Sequence, residues 1–199
     1  MKLIGLTGGI GAGKTTVLKA LGRVARVRIL IADEIAHDLM EPGTPCYQKL
    51  REVFAQDAVF REDLSFDRSA LAAVLFSDEK KRKKLNGIVH PAVKQYIIGE
   101  AKKERLLDRY DYVIVEAALL IEEHYDEICD ELWYVYASQE TRKKRLMRDR
   151  GYSEEKAESI FAAQLSDESY RAHCAHVIDN DGDIEHVYKQ LESLMTEEK

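Results

Sequence analysis

The sequence predicts an α/β fold in which helices flank a parallel sheet, extended by a helical insert and a helical lid. Short apolar segments alternate with helical segments, which is the pattern of βαβ units in a parallel sheet. A glycine-rich run at residues 8–15 separates the first apolar segment from the first helical one. From about residue 36 to about residue 104 the pattern is helical and poor in strands, which predicts an insert in the sheet.

Length and composition favour one domain. The chain has 199 residues, of which 45% are hydrophobic, enough for one sizeable core with a subdomain or two. No apolar stretch approaches about 18 residues and no signal peptide is evident, so we expect no membrane span. Three scattered cysteines without C-x-x-C spacing are typical of reduced thiols in a cytoplasmic protein. The net charge of −6, with both signs intermixed, argues against general nucleic-acid binding.

The glycine-rich run fits G-x-x-x-x-G-K-[ST], the phosphate-binding P-loop, and it stands between an apolar run at 3–6 and a helical pattern from Thr16. Glycines let successive N–H groups turn toward phosphates, the helix N-terminus adds positive potential, and Lys14 adds a charge. The Thr15 hydroxyl is placed to reach Mg²⁺. A glycine-rich turn can also be purely structural. The residues expected to contact the nucleotide are Gly9, Gly11, Ala12, Gly13, Lys14, Thr15 and Thr16.

Asp33 follows a second apolar strand, Val27–Ile31, which we expect to lie beside the P-loop strand. A carboxylate at the end of that strand would face the γ-phosphate and accept a proton from an attacking hydroxyl. Asp is also a favoured N-cap, so Asp33 can equally begin a helix. Both interpretations stay open on sequence position.

The insert carries its own helix signals. Pro42 and Gly43 mark a turn, and Thr44 and Asp67 each precede a helical pattern that they can cap. Pro91 predicts the start of another helix, with His90 immediately before it, either as a cap or as a ligand contact.

Two further strands return at 112–115 and 132–136. Because a parallel sheet binds ligands at the carboxyl ends of its strands, Glu116 is a candidate carboxylate for Mg²⁺ or its bound water. The alternative is an ordinary polar residue that closes a buried strand. A last strand at 176–178 is followed by Asn180 and by a closing helix from about Asp183.

Two charged helices are predicted at about 139–149 and 153–165, and six of the nine residues at 142–150 are basic. A solvated helix face explains part of this run. Phosphoryl transfer also needs cations that arrive with a closed state and exclude water, which predicts a lid. Arg145 and Arg148 are stronger lid candidates than Arg142. The chain has no N-K-x-D motif for a GTPase and is too short for a motor or transporter ATPase, which leaves a small-molecule kinase.

Several segments, in order along the chain, carry a resemblance to one family. They are 6–16, 32–36, Pro42 with Gly43, His90 with Pro91, 118–122, the helix of Arg145 and Arg148, Ala163 with Gln164, and 177–182. Together they resemble the dephospho-coenzyme A kinases over nearly the whole chain. The chain departs from that pattern at Ile31, where the family usually has Asp, and at Ala118, where it usually has a φ-fixing proline.

The resemblance implies ATP-dependent phosphorylation of the ribose 3′-hydroxyl of dephospho-coenzyme A, the last step of coenzyme A synthesis. It implies Asp33 as catalytic carboxylate, Lys14 and Thr15 as phosphate and Mg²⁺ ligands, and Asn180 near the adenine of ATP. Arg142 is expected to contact ATP as well. His90 and Leu119 are expected on the acceptor side.

The same resemblance implies one kinase domain over 1–199, with a core at about 1–35, 105–138 and 167–199. The acceptor would bind to about 36–104, and the lid would cover about 139–166. We expect a cytoplasmic enzyme, favoured as a monomer, with ATP and dephospho-coenzyme A as its partners. Two alternatives stay open: another small-metabolite or nucleoside kinase of this fold, and a non-catalytic nucleotide-binding switch.

Overall fold

Five strands form one sheet in the order β2-β3-β1-β4-β5 in the computed structural model, which describes residues 1–197. The pairs β1–β3, β1–β4 and β4–β5 are parallel, and helices flank the sheet, so the predicted fold class is confirmed. The strands are β1 (Lys2–Thr7), β2 (Val27–Ile31), β3 (Tyr112–Glu116), β4 (Glu131–Tyr136) and β5 (His176–Asp179).

The expectation that β2 lies beside β1 is wrong, because β3 lies between them. Succession along the chain does not determine adjacency in a parallel sheet, since the helix that joins two strands can carry the chain past a vacant position. That position is filled later by β3, whose Leu6-to-Glu116 register places the ends of β1 and β3 side by side.

The helices include one that the sequence did not predict, α8, which begins after Ser166; that hydroxyl accepts from the Ser169 amide at 3.2 Å. The helices are α1 (Lys14–Val24), α2 (Ala32–Leu39), α3 (Pro45–Val53), α4 (Arg68–Ser77), α5 (Glu79–Leu107), α6 (Gln139–Arg150), α7 (Glu154–Ala162), α8 (Asp167–His173) and α9 (Ile184–Glu197). None of the helices in residues 1–197 is long and apolar enough to cross a membrane.

The two predicted caps of the insert are confirmed. The Thr44 hydroxyl accepts from the Tyr47 amide at 3.0 Å, and the Asp67 carboxylate accepts from the Ser69 and Ala70 amides at 2.9 and 3.0 Å. All three bonds satisfy N–H groups that a helix leaves without intrahelical acceptors.

The prediction that Pro91 starts a helix is wrong, because Pro91 lies inside α5. Proline removes one backbone N–H donor, but it does not stop a helix whose apolar stripe continues on both sides. Val89, Val93 and Ile97 recur at intervals of four residues and are all buried, so packing carries the helix through the proline. His90 is therefore an interior helical residue and not a cap.

The core fixes both ends of the P-loop. Ile4 and Leu6 of β1 lie in one buried cluster with Val17 and Leu21 of α1, and the same cluster includes Leu191 of α9. Burial of each such side chain contributes about 1.5–3 kcal/mol. Because β1 and α1 are held by the same core, the loop between them has fixed endpoints.

The chain forms two compact units. The first comprises residues 1–30 and the chain from Ala101 onward, and it contains nearly all of the sheet together with α1, α6, α7, α8 and α9. The second comprises residues 31–100, where edge-on aromatic contacts of Tyr47 and Phe54 with Phe66 pack its centre.

Candidate active site

Glycines allow side chains from other elements to lie directly against the P-loop. Gly11 and Gly13 have φ of 79° and 89°, a left-handed conformation that disfavours side chains. A Cβ on Gly13 would lie 2.2 Å from Asn180 Nδ2, and one on Gly9 would lie 2.3 Å from Arg142 Nη2. The structure thus brings the predicted nucleotide-binding residues Arg142 and Asn180 onto the loop.

Three consecutive P-loop carbonyls are bound by these side chains. Arg142 Nε donates to Ile10 O at 2.8 Å, and Asn180 Nδ2 donates to Ala12 O at 2.7 Å. Arg145 Nη1 donates to Ala12 O at 3.2 Å and reaches Gly11 O at 3.4 Å, while its Nη2 donates to Asn180 O at 2.8 Å. Arg142 and Arg145 therefore both bind protein backbone in this structure.

The bonds to these carbonyls also orient the N–H groups on the opposite side of the P-loop. In a trans peptide the C=O and the following N–H point in opposite directions, so the N–H groups of Gly11 and Gly13 face away from Arg142 and Arg145. The N–H groups of Lys14 and Thr15, in the first turn of α1, have no intrahelical acceptor. The loop thus presents a set of N–H groups suited to a bound anion.

Lys14 and Glu116 meet at the carboxyl ends of β1 and β3. Lys14 Nζ donates to Gly8 O at 3.0 Å and lies 3.4 Å from Glu116 Oε1. Glu116 therefore contacts the P-loop lysine from the end of β3. Thr15 is exposed in the first turn of α1.

Arg142 lies in a partly enclosed position. Its guanidinium carbon lies 4.4 Å from the centroid of the Phe161 ring, and burial lowers its pKa below the ordinary value. Its Nη2 donates to Gln164 Oε1 at 2.5 Å, and the same oxygen accepts from the Ile10 amide at 3.2 Å. Sequence reasoning gave Gln164 no role; its only signal was its place in the ordered family motifs.

Two predicted residues lie elsewhere in the first unit. Arg148 is exposed, and its Nε and Nη2 donate to the Asp149 carboxylate at 2.6 and 3.0 Å. Leu119 lies in the turn after β3 and is 47% exposed.

Asp33 and His90 belong to the second unit. Asp33 is the second residue of α2 and is exposed. The N-cap of α2 is Ile31, with no side-chain capping bond, so the interpretation of Asp33 as an N-cap is wrong. His90 is half-buried inside α5.

Solved structures share this fold. A dephospho-CoA kinase from Campylobacter jejuni is 20% identical with a TM-score of 0.74, over 98% of this chain and 96% of that one. A shikimate kinase from Acinetobacter baumannii, in complex with shikimate, is 16% identical with a TM-score of 0.56, over 100% and 95%. Together with the sheet order and the loop between β1 and α1, these likenesses show the fold of the P-loop kinases.

Sequence comparison identifies the family within this fold. The family model described as dephospho-CoA kinase matches residues 2–186. A dephospho-CoA kinase from Symbiobacterium thermophilum is 38% identical over 193 residues, covering 97% of this chain and 80% of the relative. The chain belongs to the dephospho-CoA kinase family, and the resemblance seen in the sequence is confirmed.

Proposed function

We propose that the protein transfers the γ-phosphoryl group of ATP to the ribose 3′-hydroxyl of dephospho-coenzyme A, the last step of coenzyme A synthesis. Membership of the family carries the choice of acceptor. In the transfer, the 3′ oxygen forms a bond to the γ-phosphorus, the bond from that phosphorus to the bridging oxygen breaks, and ADP leaves with the electron pair. The hydroxyl proton passes to a carboxylate of the protein.

The P-loop is the proposed ATP site. Its N–H groups and the Lys14 ammonium would stabilise the negative charge of the phosphates, because both are oriented before the ligand arrives. Asn180 would lie near the adenine, and Arg142 would act on ATP by holding the loop. The proposed ATP-binding residues are Gly9, Gly11, Ala12, Gly13, Lys14, Thr15, Thr16, Arg142 and Asn180.

We propose Mg²⁺ as the metal of the reaction. The hydroxyl of Thr15 and the carboxylate of Glu116 are oxygen donors, the type that Mg²⁺ prefers, so the donor set fits. When bound, the ion neutralises charge on the phosphate oxygens. Glu116 also contacts Lys14, so this proposed metal ligand and the phosphate-binding lysine are neighbours.

Asp33 is the proposed proton acceptor. It comes two residues after the end of β2, its carboxylate is exposed, and α2 does not use it as a cap. Ligands of parallel sheets bind outside the carboxyl ends of the strands, which supports this choice. His90 and Leu119 are proposed contacts of the acceptor.

We propose one kinase domain over 1–199 in which about 36–104 binds the acceptor and about 139–166 forms the lid, around a core at about 1–35, 105–138 and 167–199. The compact unit at 31–100 supports a separate acceptor-binding part. Arg145 and Arg148 are the proposed lid cations. The three cysteines are thiols, which fits the reducing cytoplasm, where we propose that the enzyme acts as a monomer.

The acceptor is tested by measuring ATP consumption with dephospho-coenzyme A, adenosine, nucleoside monophosphates and shikimate. We expect dephospho-coenzyme A to be used with the highest kcat/KM. A higher kcat/KM for another acceptor would assign a different small-metabolite kinase, and ATP binding without any phosphorylated acceptor would assign a nucleotide switch.

Asp33→Asn tests the proton acceptor. We expect kcat to fall by about 10²–10⁴-fold, because general-base catalysis is worth that much, while KM for ATP stays within about threefold. Glu34→Gln is the matched control, since Glu34 is the next residue and is also exposed. Near-normal turnover of Asp33→Asn would remove the assignment.

A further inference from the structure

Both polar groups of the Ile10 residue, at the tip of the P-loop, are bound by the lid segment. Its N–H donates to Gln164 Oε1 at 3.2 Å, and its carbonyl accepts from Arg142 Nε at 2.8 Å. Arg142 Nη2 donates to the same Gln164 oxygen at 2.5 Å. Ile10, Arg142 and Gln164 therefore form a closed set of three hydrogen bonds, which we name the P-loop clasp.

The clasp rests on a packed part of the lid. Gln164 lies two residues after the end of α7, and its backbone N–H donates to Phe161 O at 3.1 Å. Phe161 lies under the Arg142 guanidinium and is 8% exposed, in one buried cluster with Leu146 and Ala157. The backbone of Gln164 is thereby held by a turn that ends on a buried aromatic side chain.

The side chain at position 164 must supply a hydrogen-bond acceptor, because the two groups that it meets are both N–H donors. Its Oε1 receives two N–H donors at once, one from the backbone and one from a charged guanidinium, and hydrogen bonds of the second kind are the stronger. Without that oxygen the Ile10 amide and one Arg142 N–H would both lose their acceptor. Loss of one acceptor thus disturbs the loop on both sides of Ile10.

We propose that Gln164 is a positioning residue for ATP binding, which acts through Ile10 and Arg142 to hold the P-loop in its anion-binding conformation. This deepens the proposed function, because it rests on the P-loop as the ATP site. The clasp orients the Ile10 carbonyl toward the lid, and the N–H of Gly11, in the same peptide group, consequently faces the opposite way. The contact between the end of the lid and Ile10 is therefore coupled to the orientation of the Gly11 N–H at the phosphate site.

Gln164→Met tests the proposal, because Met has a similar length and no amide oxygen. We expect the Kd for ATP, measured by calorimetry without acceptor, to rise about tenfold, since two hydrogen bonds are lost. KM for dephospho-coenzyme A should stay within about twofold. The Ile10 amide proton should exchange about tenfold faster by NMR, because its acceptor is gone.

Two variants make the test specific. Gln139→Met is the matched control, an exposed glutamine at the start of α6, and should leave ATP affinity and Ile10 exchange unchanged. Gln164→Glu keeps two acceptor oxygens at the same length and should restore slow exchange at Ile10.

Several results would overturn the proposal. Unchanged Kd for ATP and unchanged Ile10 exchange in folded Gln164→Met would do so, and so would equal losses toward both substrates without faster Ile10 exchange. If Gln164→Met does not fold, Gln164→Asn, one methylene too short to reach both donors, is read in the same way. ATP affinity is measured without acceptor, so failure of the dephospho-coenzyme A assignment and failure of the clasp are distinguishable.

Discussion

Helix α6 has two faces that carry the same kind of side chain in different surroundings. Arg142 and Arg145 are half-buried and bind carbonyls of the P-loop. Lys144 and Arg148 are exposed, and each pairs with an acidic residue of its own helix, Glu140 at 2.6 Å and Asp149 at 2.6 Å. A basic run is therefore not one functional unit, because the partners available to each face decide what each cation does.

Helical geometry produces the difference. Side chains three residues apart on a helix differ in direction by about 60° around its axis. Arg142, Arg145 and Arg148 therefore point in successively different directions, and Arg148 no longer faces the P-loop. Leu146 is 1% exposed and packs in one cluster with Ala157 and Phe161. That packing fixes the rotation of α6 and hence which arginines face the loop.

Among the variants that compare the two faces of α6, Arg145→Met is expected to have the largest effect. We expect kcat/KM for ATP to fall about 100-fold, because the guanidinium donates to Ala12 O and Asn180 O and a lost charged hydrogen bond costs about 1.5–3 kcal/mol. Lys144→Met, on the exposed face of the same helix, is the control and should change kcat/KM less than twofold. Steady-state kinetics at varied ATP measures both, and equal losses would show that the two faces do not differ.

Arg148→Met has a smaller expected effect and of another kind. Arg148 is the proposed cation that reaches the transferring phosphoryl group when the lid closes, so its loss should lower kcat about tenfold and leave KM for ATP unchanged. Single-turnover kinetics with saturating ATP measures the chemical step directly. A rise in KM for ATP instead of a fall in kcat would place Arg148 with Arg145 and would remove the distinction between the two faces.

The smallest expected effect is on thermal stability, from substitution of Asp181, which anchors the start of α6. Its carboxylate accepts from the Ser138 amide and hydroxyl at 3.0 and 2.9 Å, and hydrogen bonds from Thr141 and Ser138 lower its pKa. A lowered pKa means that the contribution to stability is complete above the ordinary aspartate pKa of about 4 and is lost as pH falls below it. We expect Asp181→Asn to have a Tm about 2 °C lower at pH 7, with the difference closing below about pH 4. Thermal scans from pH 7 to pH 3 measure this, and a difference as large at pH 3 as at pH 7 would contradict it.

Local signals in the sequence predicted what depends on neighbouring residues. The P-loop and the caps at Thr44 and Asp67 were predictable because each rests on backbone groups a few residues away. The interior position of Pro91 was not predictable in that way. The proline signal was local, but the stripe of buried residues through Val89 and Val93 outweighed it.

Part of the candidate site could also be predicted from the chain. The P-loop motif predicts Lys14, the basic run predicts Arg142 and Arg145, and Asn180 follows from its place after the last strand and from the resemblance. All four side chains bind carbonyls of the P-loop in the structure. Gln164 was not given a role, because its partner Ile10 lies 154 positions away and nothing in the spacing connects them.

The sequence by itself determined the class of fold, the phosphate-binding loop and the family, because each is written in short ordered motifs whose chemistry is local. Only the tertiary structure decided that β3 separates β2 from β1 and that Arg145, unlike Arg148, faces the P-loop. It also decided that Gln164 holds Ile10. These outcomes depend on which surfaces the core buries and on the rotation of α6 that follows, and packing sets both between segments far apart in the chain.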